Sequence, residues 1–200
     1  MSKTKPESAQ QKAKKNVVFD AALDVFAQYG FRRTTMNDVA QAAGISRPAL
    51  YLMFNNKEHL FHELAAHRLE LAIAEATSVL AGNHNIEDRF IDALLVHQKV
   101  YYEPVANSPH GAELIDTNLS LATDVMTKGY TKLIEVLANS LDEAGKNGEI
   151  NFSNASLKPK AFVELLLSSL NGLKKKAGST AELRKQTKQV AKIFLGSLIV

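Results

Sequence analysis

The stretch TTMNDVAQAAGISRPALYLMFNNK, at residues 34–57, decides the fold of this chain. It predicts two short helices that are joined by a tight turn. Thr35 can cap the first helix, and Asp38 three residues later completes a capping-box pair. Gly44 ends that helix, because glycine is favoured in the left-handed conformation that follows a helix. Ser46 can cap the second helix, so the stretch is predicted to be a helix-turn-helix.

The second helix, predicted from Arg47 to Phe54, carries the side chains that this motif uses for recognition. Pro48 lies in its first turn, where the missing N–H costs no helical bond. In a helix-turn-helix the N-terminal residues of the second helix contact base edges in the major groove. Arg47 can make a bidentate contact to guanine, while Pro48 and Ala49 can contact a thymine methyl group. The pattern therefore predicts that this helix reads DNA.

Other side chains of the motif are placed to contact the DNA backbone or the core. Tyr51 lies four residues after Arg47, so its hydroxyl can bond a phosphate on the same side of the helix. Lys57, at the start of the next helix, can supply a positive charge to the flanking backbone. Leu50 and Phe54 are also four residues apart and are predicted to turn inward.

Residues 22–60 resemble the N-terminal domain of the tetracycline-repressor (TetR) family of transcriptional regulators. The resemblance rests on the run AALDVFAQYGFRRTT, the turn VAQAAGIS, the segment LYLMF and the closing NNKEHL. Met53 departs from the pattern, because many members carry histidine there. The DNA-binding set that the pattern and the resemblance together imply is Thr35, Ser46, Arg47, Pro48, Ala49, Tyr51 and Lys57.

Composition agrees with a globular regulator and excludes several other classes. The 200 residues are 46% apolar, which is enough for one compact unit or two small ones. No apolar run approaches the ~18 residues that span a bilayer, and the N-terminus lacks a signal-peptide core, so we expect a cytoplasmic protein without a membrane partner. The absence of cysteine excludes disulfides, thiolate zinc sites and cysteine redox sensing.

Positive charge is concentrated in the first third of the chain. Residues 1–68 hold 10 Lys and Arg against 6 Asp and Glu, whereas residues 69–200 hold 14 against 15. A basic N-terminal third suits a polyanionic partner. A merely solvated surface is the alternative interpretation.

The periodicity predicts an all-α fold. Together with the motif, the family resemblance implies an N-terminal three-helix helix-turn-helix domain and a C-terminal helical domain for ligand binding and dimerisation. We place the first domain at 1–56, with 1–10 disordered, and the second at 57–200. Outside the motif, helices are predicted at 12–29, 57–81, 86–103, 108–117, 119–145, 158–176 and 180–199.

Two helical stripes in the second domain mix aromatic and apolar side chains with a few polar groups, which is the composition of a small-molecule pocket. The alternative is that both stripes are simply helical core. Members of the family that the chain resembles usually hold an effector between these helices, which favours the pocket. The predicted ligand-binding residues are Phe90, His97, Tyr101, Met126 and Tyr130.

The last two helices carry long apolar stripes that suggest subunit contact. Reading of DNA half-sites also requires a two-fold arrangement, which favours a homodimer over packing within one chain. The predicted dimer-interface residues are Phe162, Leu166, Ser169, Leu173, Val190, Phe194 and Leu198.

These patterns predict a homodimeric, ligand-responsive repressor that binds palindromic double-stranded operator DNA and an unknown small-molecule effector. No phosphate-binding glycine loop, zincin motif or cysteine nucleophile is present, so we expect neither an enzyme nor a cofactor. His59, His62 and Glu63 have a metal-compatible spacing, but we expect a solvated or packing face and no metal. A DNA-binding structural or division-linked protein without an effector is the stronger rival, and a closed C-terminal core would favour it.

Overall fold

The computed structural model describes residues 8–153, 155–174 and 176–198, and within them it contains helices but no strands. The helices are α1 (Ala9–Tyr29), α2 (Met36–Ala42), α3 (Arg47–Tyr51), α4 (Lys57–Leu80), α5 (Ile86–His97), α6 (Glu103–Ala106), α7 (Gly111–Leu121), α8 (Thr123–Lys146), α9 (Pro159–Lys174) and α10 (Thr180–Gly196). A π-helical turn, Gln98–Tyr102, joins α5 to α6. The predicted all-α fold is confirmed.

The first helix begins earlier than the sequence predicts. Ser8 accepts a hydrogen bond from the Gln11 amide, and the Gln11 side chain accepts one from the Ser8 amide, so a capping box starts α1 at Ala9. The expectation of disorder is therefore wrong for Ala9 and Gln10. The rest of that predicted segment, residues 1–7, lies outside the described residues.

The chain folds into two compact units, and the boundary between them falls within α4. The first unit comprises the described residues of 1–67 and 108–123, and the second comprises those of 68–107 and 124–200. The functional division into 1–56 and 57–200 stays a prediction.

The first unit is built around a cluster of aromatic rings. Phe31 packs against Phe26 and Phe61, with ring centroids 5.5 and 5.1 Å apart, respectively. His67 of α4 stacks on Phe19 of α1, with ring centroids 4.8 Å apart. These ring contacts hold α4 against α1.

The second unit has a continuous apolar core formed by α4, α5, α8, α9 and α10. Phe162, Leu166 and Leu198, which were predicted at the dimer interface, are at most 2% exposed within this single chain. These three side chains belong to the protomer's own core, and the subunit interface of these helices stays a prediction. Of the other four, Leu173, Val190 and Phe194 pack against the core as partly buried side chains, and Ser169 is exposed.

The outward sides of α9 and α10 nevertheless carry large apolar side chains. Leu165 is 52% exposed and Ile193 is 74% exposed. In the part of the chain that the structure describes, no helix is both long and apolar enough to cross a membrane.

Candidate nucleic-acid interface and internal cavity

The two helices of the motif are held by the caps that the sequence predicts. Thr35 Oγ1 accepts a hydrogen bond from the Asp38 amide at 3.3 Å, and Asp38 Oδ2 accepts one from the Thr35 amide at 2.8 Å. The Thr35 hydroxyl also donates to Asp38 Oδ2 at 2.8 Å, and the two bonds that the carboxyl accepts lower its pKa, the one from the backbone amide most. Ser46 Oγ accepts a hydrogen bond from the Ala49 amide at 3.3 Å and so caps α3. Thr35 and Ser46 thereby set where both helices begin.

Gly44 provides the turn between the two helices. Its φ is +66°, in the left-handed region, and no atom lies within 4 Å of the place where a β-carbon would stand. Glycine is therefore required here by backbone conformation and not by lack of space.

The second helix of the motif presents its N-terminal residues to solvent and its apolar residues to the core. Arg47 and Pro48 are exposed and Ala49 is half-buried, whereas Leu50 and Phe54 have no exposed surface. The predicted inward direction of Leu50 and Phe54 is confirmed. α3 ends at Tyr51, three residues before the predicted end, and the last turn continues as loop to Phe54.

Arg47 and Tyr51 act as a pair. The Arg47 guanidinium lies 5.5 Å from the centre of the exposed Tyr51 ring, which is a cation–π contact. Because the ring restricts the arginine, less rotamer entropy remains to be lost when the guanidinium meets a base. The two residues therefore form a preorganised exposed surface, although their contacts with DNA stay a prediction.

Lys57 is placed differently from what the sequence suggests. Its ammonium donates hydrogen bonds to the carbonyl oxygens of Phe31 at 2.7 Å, Thr34 at 2.8 Å and Arg32 at 3.4 Å, and it lies 4.4 Å from the centre of the Phe31 ring. These carbonyls occupy all three N–H donors. Lys57 therefore ties the start of α4 to the turn before α2, and a phosphate contact would have to replace one of these bonds.

One exposed residue of the motif was not predicted to have a role. Leu52 directly follows α3 and is 89% exposed, the highest exposure among the large apolar side chains described. Because Leu52 directly follows Tyr51, the candidate DNA interface includes an apolar side chain as well as polar side chains. The sequence signal was available, because Leu52 lies outside the inward spacing of Leu50 and Phe54.

The second unit contains a cavity of about 150 Å³. Of the five predicted ligand-binding residues, His97, Tyr101, Met126 and Tyr130 line it. Phe90 does not, since it is fully buried in the apolar core. The other lining residues are Leu69, Leu94, Gln98, Gly129, Leu133, Leu167, Leu170, Asn171 and Lys174.

Polar groups of the cavity wall carry strongly shifted pKa values. Burial, and next the charge of Lys174, lower the pKa of His97 to about 4, so its imidazole is neutral at pH 7. Burial raises the pKa of Tyr101 to about 12 and lowers the pKa of the Lys174 ammonium. Shifted groups gathered around a cavity are typical of a functional site.

The π-helical turn shapes this wall. It contributes Gln98 and Tyr101 to the cavity, and π-helical turns within helices are frequent at functional sites. Gln98 Nε2 donates to Thr187 Oγ1 of α10 at 2.9 Å, and both side chains are buried. Arg68 of α4 donates to the carbonyl oxygen of Val100, so the turn is bonded to two neighbouring helices.

Comparison with known proteins places the motif in a family. Residues 18–64 match the model of bacterial regulatory proteins of the tetR family. An uncharacterised HTH-type transcriptional regulator of Bacillus subtilis, YhgD, is 26% identical over 157 residues, which are 77% of this chain and 80% of the relative. An Escherichia coli protein named "Probable acrEF/envCD operon repressor" is 45% identical over 47 residues, which are 24% of this chain and 21% of that protein.

Solved structures share the whole fold. A tetR-family transcriptional regulator from Mesorhizobium loti superposes with a TM-score of 0.72 at 20% identity, covering 97% of this chain and 100% of its own. SmeT, the repressor of a Stenotrophomonas maltophilia multidrug efflux pump, gives a TM-score of 0.69 at 16% identity, covering 93% and 90%. SmeT is also known as a complex with triclosan. The matched motif, these relatives and the shared fold support a TetR/AcrR-like regulator, with the match to the family model confined to residues 18–64.

Proposed function

We propose that the protein is a homodimeric repressor that leaves its operator when a small-molecule effector enters the cavity of the second unit. The cavity carries this proposal, because four predicted ligand-binding residues line it and an effector-independent protein has no need of it. SmeT, which shares the fold, is a repressor that forms a complex with the small molecule triclosan. A regulator that acts on DNA would work in the cytoplasm.

Helix α4 supplies the route from the cavity to the DNA-binding residues. Leu69 of α4 lines the cavity, and Lys57 at the start of the same helix bonds the turn before α2. The two residues are twelve positions apart in one helix. An effector that binds one arrangement of α4 better would change the spacing of the two recognition helices away from the roughly 34–36 Å between successive major grooves.

The homodimer would form through the outward sides of α9 and α10. Leu165 and Ile193 are large apolar side chains that the protomer leaves exposed there. Two-fold pairing through such a face presents the same patch from both subunits. It also supplies the two copies of α3 that a palindromic operator requires.

Two experiments in sequence test this function. Selection of bound DNA from a random pool should return a palindrome, since a two-fold dimer reads two half-sites. Mobility shifts with that operator, repeated over a panel of metabolites, should then find a compound that releases the protein. A coupling of ~1–3 kcal/mol per effector makes such release measurable. If no compound of a broad panel releases the protein from its operator, the result would count against regulation by a small-molecule effector.

Tyr130→Ala separates sensing from DNA binding. Tyr130 lines the cavity but is 37% exposed, so its truncation should not cost the ~3–5 kcal/mol of a fully buried aromatic residue. We expect unchanged operator affinity and weaker release by the effector. A large loss of thermal stability without an altered response would remove Tyr130 from the effector site.

A further inference from the structure

The cavity wall has a basic side chain and no acidic one. Lys174, at the end of α9, is the one lysine or arginine among the described lining residues, which include no aspartate or glutamate, and the imidazole of His97 is neutral at pH 7. Its ammonium lies 5.3 Å from the centre of the Tyr102 ring, a weaker partner than a carboxylate. The wall therefore offers a cation whose strongest possible partner is missing from the described lining.

Two further polar groups in the wall have unused hydrogen-bonding capacity. His97 Nε2 is buried and has no hydrogen-bond partner among the described residues. The Tyr101 hydroxyl donates to the thioether sulfur of Met126, which is a weak acceptor. A neutral imidazole can present an N–H at Nε2, so both groups can donate to an acceptor oxygen. Unsatisfied buried donors of this kind favour a ligand that accepts hydrogen bonds.

The apolar part of the wall and the volume of the cavity limit the polarity and the size of the rest of the ligand. The apolar side chains come from four helices and belong to Leu69, Leu94, Leu133, Leu167 and Leu170. The cavity volume of about 150 Å³ equals that of an engineered apolar cavity that holds benzene. This volume suits one small ring or a short branched chain.

We propose, on the basis of the effector function proposed above, that the ligand is a compact monocarboxylate whose apolar body is the size of a single ring. Lys174 holds the carboxylate, His97 and Tyr101 donate to its oxygens, and the leucines surround the body. A charge-assisted hydrogen bond is roughly twice as strong as a neutral one, so the carboxylate decides the affinity. Burial lowers the pKa of the Lys174 ammonium, and a bound anion would oppose that shift.

Direct binding without DNA tests the ligand class separately from the repressor function. Isothermal titration calorimetry of the full chain should detect benzoate, with benzyl alcohol at least about tenfold weaker and benzylamine not bound, since one charged hydrogen bond accounts for about a tenfold to hundredfold difference. Each probe has one ring and differs from the others in the charge of its polar group.

Lys174→Met tests the residue that carries the proposal. We expect benzoate affinity to fall about tenfold to hundredfold, while benzyl alcohol affinity stays within about threefold. Lys176→Met is the matched control, because Lys176 is exposed two residues further on and does not line the cavity. It should leave both affinities unchanged. Thermal melting of both variants checks that the fold is intact.

The outcomes separate this inference from the proposed function. Equal binding of benzoate and benzyl alcohol, or an unchanged benzoate affinity in Lys174→Met, overturns the carboxylate while leaving the cavity as an effector site. Binding of none of the three probes overturns the inference, and the metabolite panel on the operator still decides the repressor function. Benzoate binding without any effect on operator affinity supports the ligand class and contradicts release by this ligand.

Discussion

Leu69 of α4 lies so close to Gly129 of α8 that a β-carbon at position 129 would stand 1.8 Å from the leucine Cδ2. Both residues also line the cavity. Gly129→Ala should therefore force Leu69 to move and should lower the free energy of unfolding by about 1–3 kcal/mol, as overpacking does. Chemical denaturation measures this change.

Gly145→Ala, in the same helix, is the control for that substitution. The nearest atom to a β-carbon there is 4.0 Å away, an ordinary contact. Alanine should stabilise this helix by up to about 1 kcal/mol. If both substitutions change stability alike, helix propensity and not the contact with Leu69 explains the result.

Arg47→Ala should weaken binding to the operator by about 1–3 kcal/mol. It should also relax the preference for one base at a single position of the operator. Mobility shifts over operators changed one base pair at a time measure it. Tyr51→Phe is the comparison, because loss of a phosphate contact weakens all sequences equally. Equal losses on every operator for Arg47→Ala would show that this arginine does not read a base.

Lys57→Met should destabilise the first unit, because three carbonyl oxygens lose their donor. We expect a loss of about 1–3 kcal/mol in the free energy of unfolding, with Lys12→Met, at an exposed site, unchanged. Salt titration of operator binding tests the second role. If the slope of log affinity against log salt concentration falls by about one in Lys57→Met, Lys57 also neutralises a phosphate.

Ile193→Glu should convert dimers into monomers without unfolding them. Its side chain is 74% exposed in the protomer, so the charge would be buried only by a second subunit. Sedimentation velocity measures the assembly, and Val17→Glu, at another exposed apolar site, should leave it unchanged. A dimer that persists in both Ile193→Glu and Leu165→Glu would place the interface elsewhere.

His97 should make stability fall in mild acid. Its pKa is lowered to about 4 in the folded chain, so between the ordinary value of 6.5 and 4 the unfolded chain binds a proton that the folded chain does not. The free energy of unfolding should therefore drop by up to ~3 kcal/mol as the pH falls through this window. His97→Asn should remove that part of the pH dependence, and His84→Asn, at an exposed histidine, is the control. Identical pH profiles for His97→Asn and the parent chain would contradict the prediction.

The helix-turn-helix could be predicted because its signals are local. Thr35 and Asp38 are three residues apart, and Gly44 and Ser46 act on the backbone beside them. Lys57 could not be predicted in the same way. Its partner Phe31 is 26 residues away, and spacing along one helix contains no information about such a contact.

The cavity wall of the second unit could be predicted from the sequence only in part, for the same reason. Periodicity found four residues of the cavity wall on two helices, but Lys174 enters from α9, which only the tertiary arrangement brings there. The apolar stripe with Leu166 was predicted to contact a second subunit. Periodicity does not distinguish a core partner from a subunit partner, and here the core uses that stripe.

The π-helical turn at Gln98–Tyr102 gives the cavity an unusual way to change during evolution. Such a turn holds one residue more than an α-helical turn, so deletion of a single residue restores the regular helix. Because the extra residue is absorbed within the turn, such a deletion would leave the residues before and after the turn close to their present positions and would move the residues of the turn itself. Gln98 and Tyr101, which the turn contributes to the cavity wall, would shift while His97 stayed. A one-codon deletion there would therefore change the cavity wall of a descendant protein in one step, with the apolar core unaltered.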